Sequence, residues 1–189
     1  MIKILTLLLF FFINHSYAED IEITNWSNQE SKELLEIMNN ADVENNQNYE
    51  KYKVFVETNF ALKSIAFGLL NEKIIKKNNE ETLLRYEDTF KAYLTKTIYN
   101  LANTSTSGEI ILRDIDVKDG VYIINSDISD RTSSVSLYWK VAKIKDSYKI
   151  LDIIVENTSY FITKKSEFTK ILRKSRGSLD FLIKELEKI

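Results

Sequence analysis

The sequence predicts an α+β domain in which helices pack on one twisted four-stranded antiparallel sheet. Apolar residues recur at three- and four-residue steps through the first hundred residues, and they do so again in the C-terminal segment. Between these two helical parts lie four strand-like runs joined by short turns. Helices and strands that are segregated along the chain are typical of α+β domains. A chain of 189 residues is long enough for one such domain with a sizeable core.

The N-terminus has the features of a cleaved signal peptide. Lys3 precedes an apolar run over residues 4–13, and Ser16 and Ala18 supply the small residues of a cleavage site before Glu19. The run is shorter than the about 20 apolar residues that a membrane-spanning helix needs. We therefore expect residues 1–18 to be removed and residues 19–189 to form a single exported domain. The alternative is an uncleaved N-terminal anchor.

Three helices are predicted before residue 79. Ser27 and Glu30 have the spacing of a capping box, which predicts that the first helix begins at Ser27. Two further helices are expected over residues 52–60 and 61–70. The polar segment over residues 42–49 is expected to be a loop.

The longest predicted helix begins after Asn79, a favourable N-cap that two acidic residues follow. Its apolar stripe is strongly aromatic and extends over about six turns. The stripe consists of Leu83, Tyr86, Phe90, Tyr93, Leu94, Thr97, Ile98 and Leu101. Such a stripe is typical of a solid core and equally of one wall of an apolar cavity, and the sequence alone does not separate the two.

Strands are expected over residues 109–117, 121–128, 133–144 and 148–157. The dipeptide Asp119-Gly120 is a strong hairpin signal, because glycine tolerates the positive φ that tight hairpin turns require. Short turns between successive strands indicate an antiparallel meander. Two helices then close the chain, one over residues 161–173 and one capped by Ser178, with Gly177 suited to the left-handed position between them.

Composition excludes several classes of function. With 26 basic and 28 acidic residues the net charge is −2, which argues against a general nucleic-acid binder. The chain has no cysteine, and its one histidine, His15, lies in the predicted signal peptide. The mature chain therefore lacks the residues for a His-based triad, a disulfide or a His- or Cys-ligated metal. We expect no metal, no cofactor and no enzymatic activity.

Paired carboxylates are the remaining candidates for catalysis, since two acids can perform glycosidase-type acid–base chemistry. Asp114 and Asp116 lie two residues apart on a predicted strand. Asp127 and Asp130 flank a predicted hairpin turn, where Asp is favoured for its turn-forming hydrogen bonds. We interpret both pairs as solvated acids of turns and edges.

The fourth strand and the tail carry a recognisable order of residues. Residues 148–159, YKILDIIVENTS, resemble a family pattern of aromatic, basic and aliphatic residues around an Asp that ends in Glu-Gly-x-Ser. Asn157 stands in place of the Gly, and Asn tolerates left-handed geometry better than most residues. The chain is identified by this pattern as a member of the MlaC family, the toluene-tolerance auxiliary family. Further similarities to that family are Asn59-Phe60, Tyr86, Phe90, Leu94, Tyr99, Ser166-Glu167-Phe168, Ile171-Leu172, Gly177 and Leu182-Ile183.

The resemblance implies a soluble periplasmic phospholipid carrier, whose acyl chains insert into an apolar cavity between the helices and the sheet. It also implies two partners, an outer-membrane lipoprotein–porin complex and an inner-membrane ABC transporter, between which the protein shuttles lipid as a monomer. Strand alternation and helix stripes give the candidate lipid-binding residues. They are Phe60, Ile65, Leu69, Phe90, Leu94, Leu137, Trp139, Val141, Leu151, Ile153 and Val155.

Two other functions are compatible with the same pattern. A nuclear-transport-factor-like hydrolase or isomerase also combines helices with a curved sheet. It would need a carboxylate inside the cavity, so an inward-pointing Asp127 or Asp152 with a raised pKa would favour it. A lipoprotein chaperone is another periplasmic carrier with an apolar cavity. The chemical identity of a copurified lipid would distinguish a chaperone from a phospholipid carrier.

Overall fold

The computed structural model describes residues 2–39, 46–103, 108–129 and 134–189, and the fold has the predicted α+β class. The helices in these ranges are α1 (Ile2–Asn39), α2 (Asn46–Asn59), α3 (Leu62–Gly68), α4 (Glu72–Lys77), α5 (Glu80–Asn103), α6 (Tyr160–Lys174) and α7 (Leu179–Leu186). The strands are β1 (Glu109–Lys118), β2 (Val121–Ser129), β3 (Ser134–Ile144), β4 (Ser147–Val155) and β5 (Thr158–Ser159). Within the described ranges, no helix combines the length and the apolar character that crossing a membrane requires.

The sheet is an antiparallel meander in the order β1-β2-β3-β4-β5. The predicted hairpin between β1 and β2 is confirmed, since Asp119 and Gly120 have φ angles of 53° and 74°. The sheet has one strand more than predicted, because Glu156 and Asn157 adopt φ angles of 48° and 64° and turn the two-residue β5 back onto β4. The left-handed geometry expected of Asn157 is therefore present.

A β-bulge in β4 changes which side chains share a face. Lys140 of β3 pairs with Asp152, but its neighbour Val141 pairs with Ile150, so Leu151 is an extra residue without a partner in the register. Side chains alternate between faces only where the register is continuous. The expectation that Leu151 shares a face with Ile153 and Val155 is therefore wrong for Leu151. A second register shift lies in β1 between Leu112 and Asp114.

The aromatic stripe of α5 forms a solid core between helices. Tyr86, Phe90 and Tyr93 continue a row of rings that begins at Phe67 and ends at Phe168, with successive ring centroids 5.9–6.3 Å apart. The hydroxyl of Tyr86 donates a hydrogen bond of 2.9 Å to the buried carbonyl of Ala66. Burial raises the pKa of this tyrosine far above its ordinary value. Of the two alternatives for the stripe, core packing is the one observed.

Several helix ends have the caps that the sequence predicts. Asn79 accepts a hydrogen bond of 2.9 Å from the Thr82 amide, and Ser178 accepts one of 3.3 Å from the Phe181 amide, so both predicted N-caps are confirmed. After α6, Arg176 and Gly177 both have positive φ, at 55° and 80°. The Gly177 amide donates to the Leu172 carbonyl over 2.7 Å, the long bond of a Schellman motif.

The start of the first helix differs from the prediction. α1 is continuous from Ile2, so Ser27 lies inside it and donates to the Ile23 carbonyl over 2.7 Å. The predicted capping box at Ser27 is wrong, because the helix continues upstream and its carbonyl groups already accept hydrogen bonds from the amides that Ser27 would cap.

The helical boundaries after α1 also depart from the sequence prediction. α2 begins at Asn46, so the last four residues of the predicted loop over residues 42–49 are helical. Residues 40–45 lie outside the described residues, as does Asp130 of the second acid pair. The short helix α4 was not predicted. It is capped by the side chain of Asn71, which accepts from the Ile74 amide over 3.0 Å.

Candidate functional site

One face of the sheet, here called the inner face, is apolar and is covered by α1 and α2. The register aligns its side chains in rows across the strands. Four of these rows are Val117, Tyr122, Val141 and Ile150; Ile115, Ile124, Trp139 and Ile153; Leu112, Ser126, Leu137 and Val155; and Ile110, Ile128 and Val135. The indole N–H of Trp139 donates to the Ser126 hydroxyl over 2.8 Å, so each satisfies the other within an apolar surface.

α1 closes this face with a stripe of mostly apolar side chains. Ile23 and Trp26 lie three residues apart, and Leu34 follows about two helical turns later on the same side, packed with them against the core. Ile23 is 1% exposed. The Trp26 ring lies 5.6 Å from the ring of Tyr148 on β4. An ion pair of 2.7 Å between Glu22 and Lys143 joins the helix to β3 at the surface. The contact between α1 and the sheet is thus apolar packing, with polar links only at its edge.

A small apolar cavity remains between α1, α2 and the inner face. It is lined by Trp26, Ser27, Glu30, Ser31, Leu34, Phe55, Ile110, Ile124, Trp139, Val141 and Ile150. Its volume is about 30 Å³, which is room for about two or three water molecules. Small-molecule pockets usually measure about 300–1,000 Å³. The predicted apolar cavity between helices and sheet is present, but in this structure it is too small to hold an acyl chain.

Glu30 places a carboxylate at the edge of the cavity. Its Oε2 accepts a hydrogen bond of 2.6 Å from the Asn59 side chain at the end of α2. Burial raises the pKa of Glu30, the nearby charge of Glu33 raises it further, and the bond from Asn59 lowers it. Glu30 is therefore easier to protonate than an ordinary surface glutamate.

A second concavity, here called the outer groove, lies between α3, the bulge of β4 and the start of α6. It is lined by Ser64, Ile65, Gly68, Leu69, Leu151, Phe161, Ile162 and Lys165. The groove measures about 310 Å³ and is open to solvent. Leu151 reaches it because the bulge turns this residue away from the inner face.

The residues predicted to bind lipid are distributed over several places. Trp139 and Val141 line the cavity, whereas Ile65, Leu69 and Leu151 line the outer groove. The others are buried or partly exposed outside both concavities: Phe60, Phe90, Leu94 and Leu137 are buried, Ile153 is half-buried against the core, and Val155 is 38% exposed. The structure thus brings only part of the predicted set together at one site.

Sequence reasoning missed most of the cavity lining. Trp26 was missed because the first helix was expected to begin at Ser27. Ile150 was missed because strict alternation assigns it to the outer face, whereas the bulge places it beside Val141. A sequence signal was available only for α1, since Ile23 and Trp26 continue the helical stripe of Leu34 and Ile37 upstream of Ser27.

Neither Asp127 nor Asp152, whose inward orientation would favour an enzyme, lines the cavity. Asp127 is bound to the Ser136 hydroxyl at 2.7 Å and to Arg113 at 2.8 Å, and these bonds lower its pKa. Asp152 is buried and accepts hydrogen bonds from the Ser159 hydroxyl at 2.6 Å and from the Phe161 amide at 3.3 Å. It therefore anchors the start of α6. The condition of a raised pKa on an inward-pointing Asp127 is not met.

Comparison with known proteins supplies two further findings. The family described as MlaC protein matches residues 28–188 of the chain. The phospholipid-binding protein from Ralstonia solanacearum, whose three-dimensional structure is a complex with a phospholipid, is similar to this chain at a TM-score of 0.70 and 18% sequence identity. The match covers 86% of this chain and 93% of that protein, and at this identity it shows a common fold. No curated protein matches the chain.

Proposed function

The chain belongs to the MlaC family, and from this we propose that it is a periplasmic phospholipid-binding protein and not an enzyme. It carries lipid as a monomer between an outer-membrane lipoprotein–porin complex and an inner-membrane ABC transporter. The mature carrier consists of residues 19–189 after removal of the signal peptide over residues 1–18. The observation that carries the proposal is the apolar inner face of the sheet, which α1 and α2 cover and which keeps a small cavity beneath them.

The energetic need for a carrier follows from the hydrophobic effect. Each methylene group that leaves water is stabilised by about 0.8 kcal/mol, so an acyl chain of roughly 16 carbons gains on the order of 12 kcal/mol when it is covered. A phospholipid therefore does not cross an aqueous gap unaided at a useful rate. The inner face offers the required surface, since its rows of aliphatic and aromatic side chains contain few polar groups.

α1 moves when lipid binds, because a cavity of about 30 Å³ does not hold an acyl chain. An entering chain takes the place of Trp26 and Leu34 against Trp139 and Val141, so one apolar contact replaces another. Polar links between α1 and the rest of the described chain include the exposed pair Glu22–Lys143, a hydrogen bond between Glu22 and Tyr148, and the bond from Asn59 to Glu30. Exposed ion pairs contribute about 0–1 kcal/mol, so they oppose the movement weakly.

Native mass spectrometry of protein purified from the periplasm tests lipid binding directly. We expect a folded species that carries one phospholipid, identified by its mass after release. A protein that is entirely free of ligand under conditions that preserve folded carriers contradicts the proposal. A copurified lipoprotein acyl group in place of a phospholipid identifies a lipoprotein chaperone.

Cross-linking tests the movement of α1. The chain has no cysteine, so Glu22→Cys with Lys143→Cys can be joined specifically by a short bis-maleimide. We expect the cross-linked empty protein not to take up phospholipid from vesicles. The matched control is Arg85→Cys with Asp180→Cys, which joins an exposed ion pair between α5 and α7 and leaves uptake unchanged. Equal uptake by both cross-linked proteins contradicts movement of α1.

One observation favours the enzyme alternative, namely the Glu30 carboxylate with its raised pKa at the cavity edge. A general acid or base of this kind would need a substrate-sized space beside it. The present cavity does not provide one, and among the described residues that line it no second ionisable side chain accompanies Glu30. Glu30→Gln distinguishes the two functions, since a lipid carrier keeps its lipid in this variant whereas an enzyme loses its activity.

A further inference from the structure

The first exposed turn of α6 carries an apolar side chain beside the outer groove. Ile162 is 68% exposed, the largest value for a large apolar residue in the described part of the chain. It lies at the rim of the groove with Lys165, one helical turn further along. Thr169 and Arg173 continue the same stripe at four-residue steps and are also exposed. We call this surface, Ile162, Lys165, Thr169 and Arg173 together with the groove, the α6 face.

The helix that carries the α6 face is strongly basic in a chain that is slightly acidic, and the face itself contains Lys165 and Arg173. α6 contains five basic residues and one acidic residue, a net charge of +4, whereas the whole chain has a net charge of −2. Among the basic residues of α6, Lys164 forms an ion pair with Glu167 at 2.8 Å and cation–π contacts with the rings of Tyr93 and Tyr160. Lys165, Lys170, Arg173 and Lys174 form no ion pair with the described residues.

The charges of α1 and of its groove with α2 show that basic residues are not concentrated on every helix of this protein. Over residues 21–39, α1 carries four acidic residues and one basic residue, a net charge of −3. The groove beside Val54 between α1 and α2 is lined by Glu33, Glu36 and Glu50, so exposed apolar residues of this protein also occur in acidic surroundings. An exposed apolar side chain therefore does not by itself bring basic neighbours, whereas at the α6 face Ile162 and two basic side chains occur together.

A helix that exposes an apolar residue among Lys and Arg suits the surface of an anionic bilayer. The apolar side chain enters the acyl boundary while the cations contact lipid phosphates. We propose that the α6 face docks the protein on anionic membrane surfaces. The outer groove then lies against the bilayer, with Ile162 inserted and Lys165 and Arg173 at the level of the headgroups. This docking is independent of the proposed lipid carriage, since a protein that binds no lipid in its cavity can still dock.

Vesicle binding tests the proposal with the purified full-length mature protein. The probes are vesicles of phosphatidylcholine alone and of phosphatidylcholine with about 30% phosphatidylglycerol, which carry different surface potentials. We expect cosedimentation with the anionic vesicles alone, weakened by salt. Lys165→Gln should weaken binding about fivefold, since each Lys near an anionic surface strengthens membrane binding by about that factor. Ile162→Ser should weaken it about tenfold through the loss of apolar insertion.

Two matched variants control for general effects of substitution. Val54→Ser removes an apolar side chain that is 57% exposed, and Lys51→Gln removes an exposed cation, both in the acidic groove between α1 and α2. Neither should change vesicle binding, and circular dichroism verifies that all four variants are folded. The proposal is overturned if the protein binds neither kind of vesicle, binds both equally, or loses as much binding in the Val54 and Lys51 variants. Absence of vesicle binding would assign the α6 face to an acidic protein partner.

Discussion

Adding one methylene group at Val141 tests whether the small cavity is the place that lipid occupies. Val141 is fully buried on β3 and lines the cavity together with Trp139 and Ile150. Isoleucine keeps the β-branched shape of valine, which suits a strand, and extends one branch by a single carbon. The substitution Val141→Ile therefore directs the new methyl group into the empty space.

The expected gain follows from the volume of the cavity. Empty space in a protein core costs about 24 cal/mol per Å³, so filling a cavity of about 30 Å³ contributes about 0.7 kcal/mol. The transfer of one methylene group from water gives a similar figure of about 0.8 kcal/mol. For a domain of this size, such a gain raises the melting temperature by about 2–3 °C.

Val56 offers a matched control in a filled part of the core. It is also fully buried, but it lies on α2 and does not line the cavity. Val56→Ile forces an extra carbon into close-packed surroundings, which lowers the free energy of unfolding by about 1–3 kcal/mol. The two identical changes in chemistry are thus expected to alter stability in opposite directions.

Urea denaturation of delipidated protein measures both free energies, and native mass spectrometry measures lipid occupancy. Val141→Ile should stabilise the empty protein and reduce the fraction that carries phospholipid, because the added carbon occupies space that the acyl chain needs. If Val141→Ile destabilises the protein as Val56→Ile does, the space beside Val141 does not accommodate the added carbon. If it stabilises the protein and leaves occupancy unchanged, lipid binds elsewhere.

Three further predictions concern the carboxylates. Asp152→Ala is expected to lower the free energy of unfolding by about 3 kcal/mol, since it leaves the buried Phe161 amide without its acceptor; urea denaturation should show a smaller loss for Asp152→Asn, which keeps an acceptor. Because the pKa of Glu30 is raised above 4.5 in the folded state, its contribution to stability is complete below pH 4.5 and is lost as the pH rises through the folded value. Glu30→Gln should therefore be the more stable protein at pH 7, with the difference disappearing in acid denaturation profiles; an unchanged difference would exclude this titration. Asp127→Asn should leave lipid occupancy unchanged in native mass spectrometry, since Asp127 lies away from the cavity, and a loss of lipid would place it in the site.

Local chemistry explains why much of the fold is readable in the sequence. The Asp119-Gly120 hairpin and the caps at Asn79 and Ser178 depend on residues within a few positions of one another. The order of helices and strands likewise follows from periodicity along each segment. These features do not require knowledge of what packs against them. The capping box at Ser27 failed because its meaning depends on whether the helix continues upstream.

The candidate site was only partly predictable, because it depends on register and on contacts between distant segments. Strict alternation placed Leu151 on the inner face, yet the bulge opposite Lys140 and Val141 turns it into the outer groove and brings Ile150 to the cavity. A bulge is a property of two paired strands, so one strand read alone does not reveal it. Similarly, the stripe of α5 gave no sign of whether it faced other helices or a ligand.

The class of fold, the Asp119-Gly120 hairpin, the caps at Asn79 and Ser178, and the apolar character of the surfaces to be covered were all readable in the amino-acid sequence. Three features emerged only from the packed structure: α1 covers the inner face, about 30 Å³ is left beneath it, and the basic residues of α6 adjoin an exposed isoleucine. The difference arises because the tendency to be buried follows from the composition of each segment. The shape of the space between segments is set by side chains that meet from many positions along the chain.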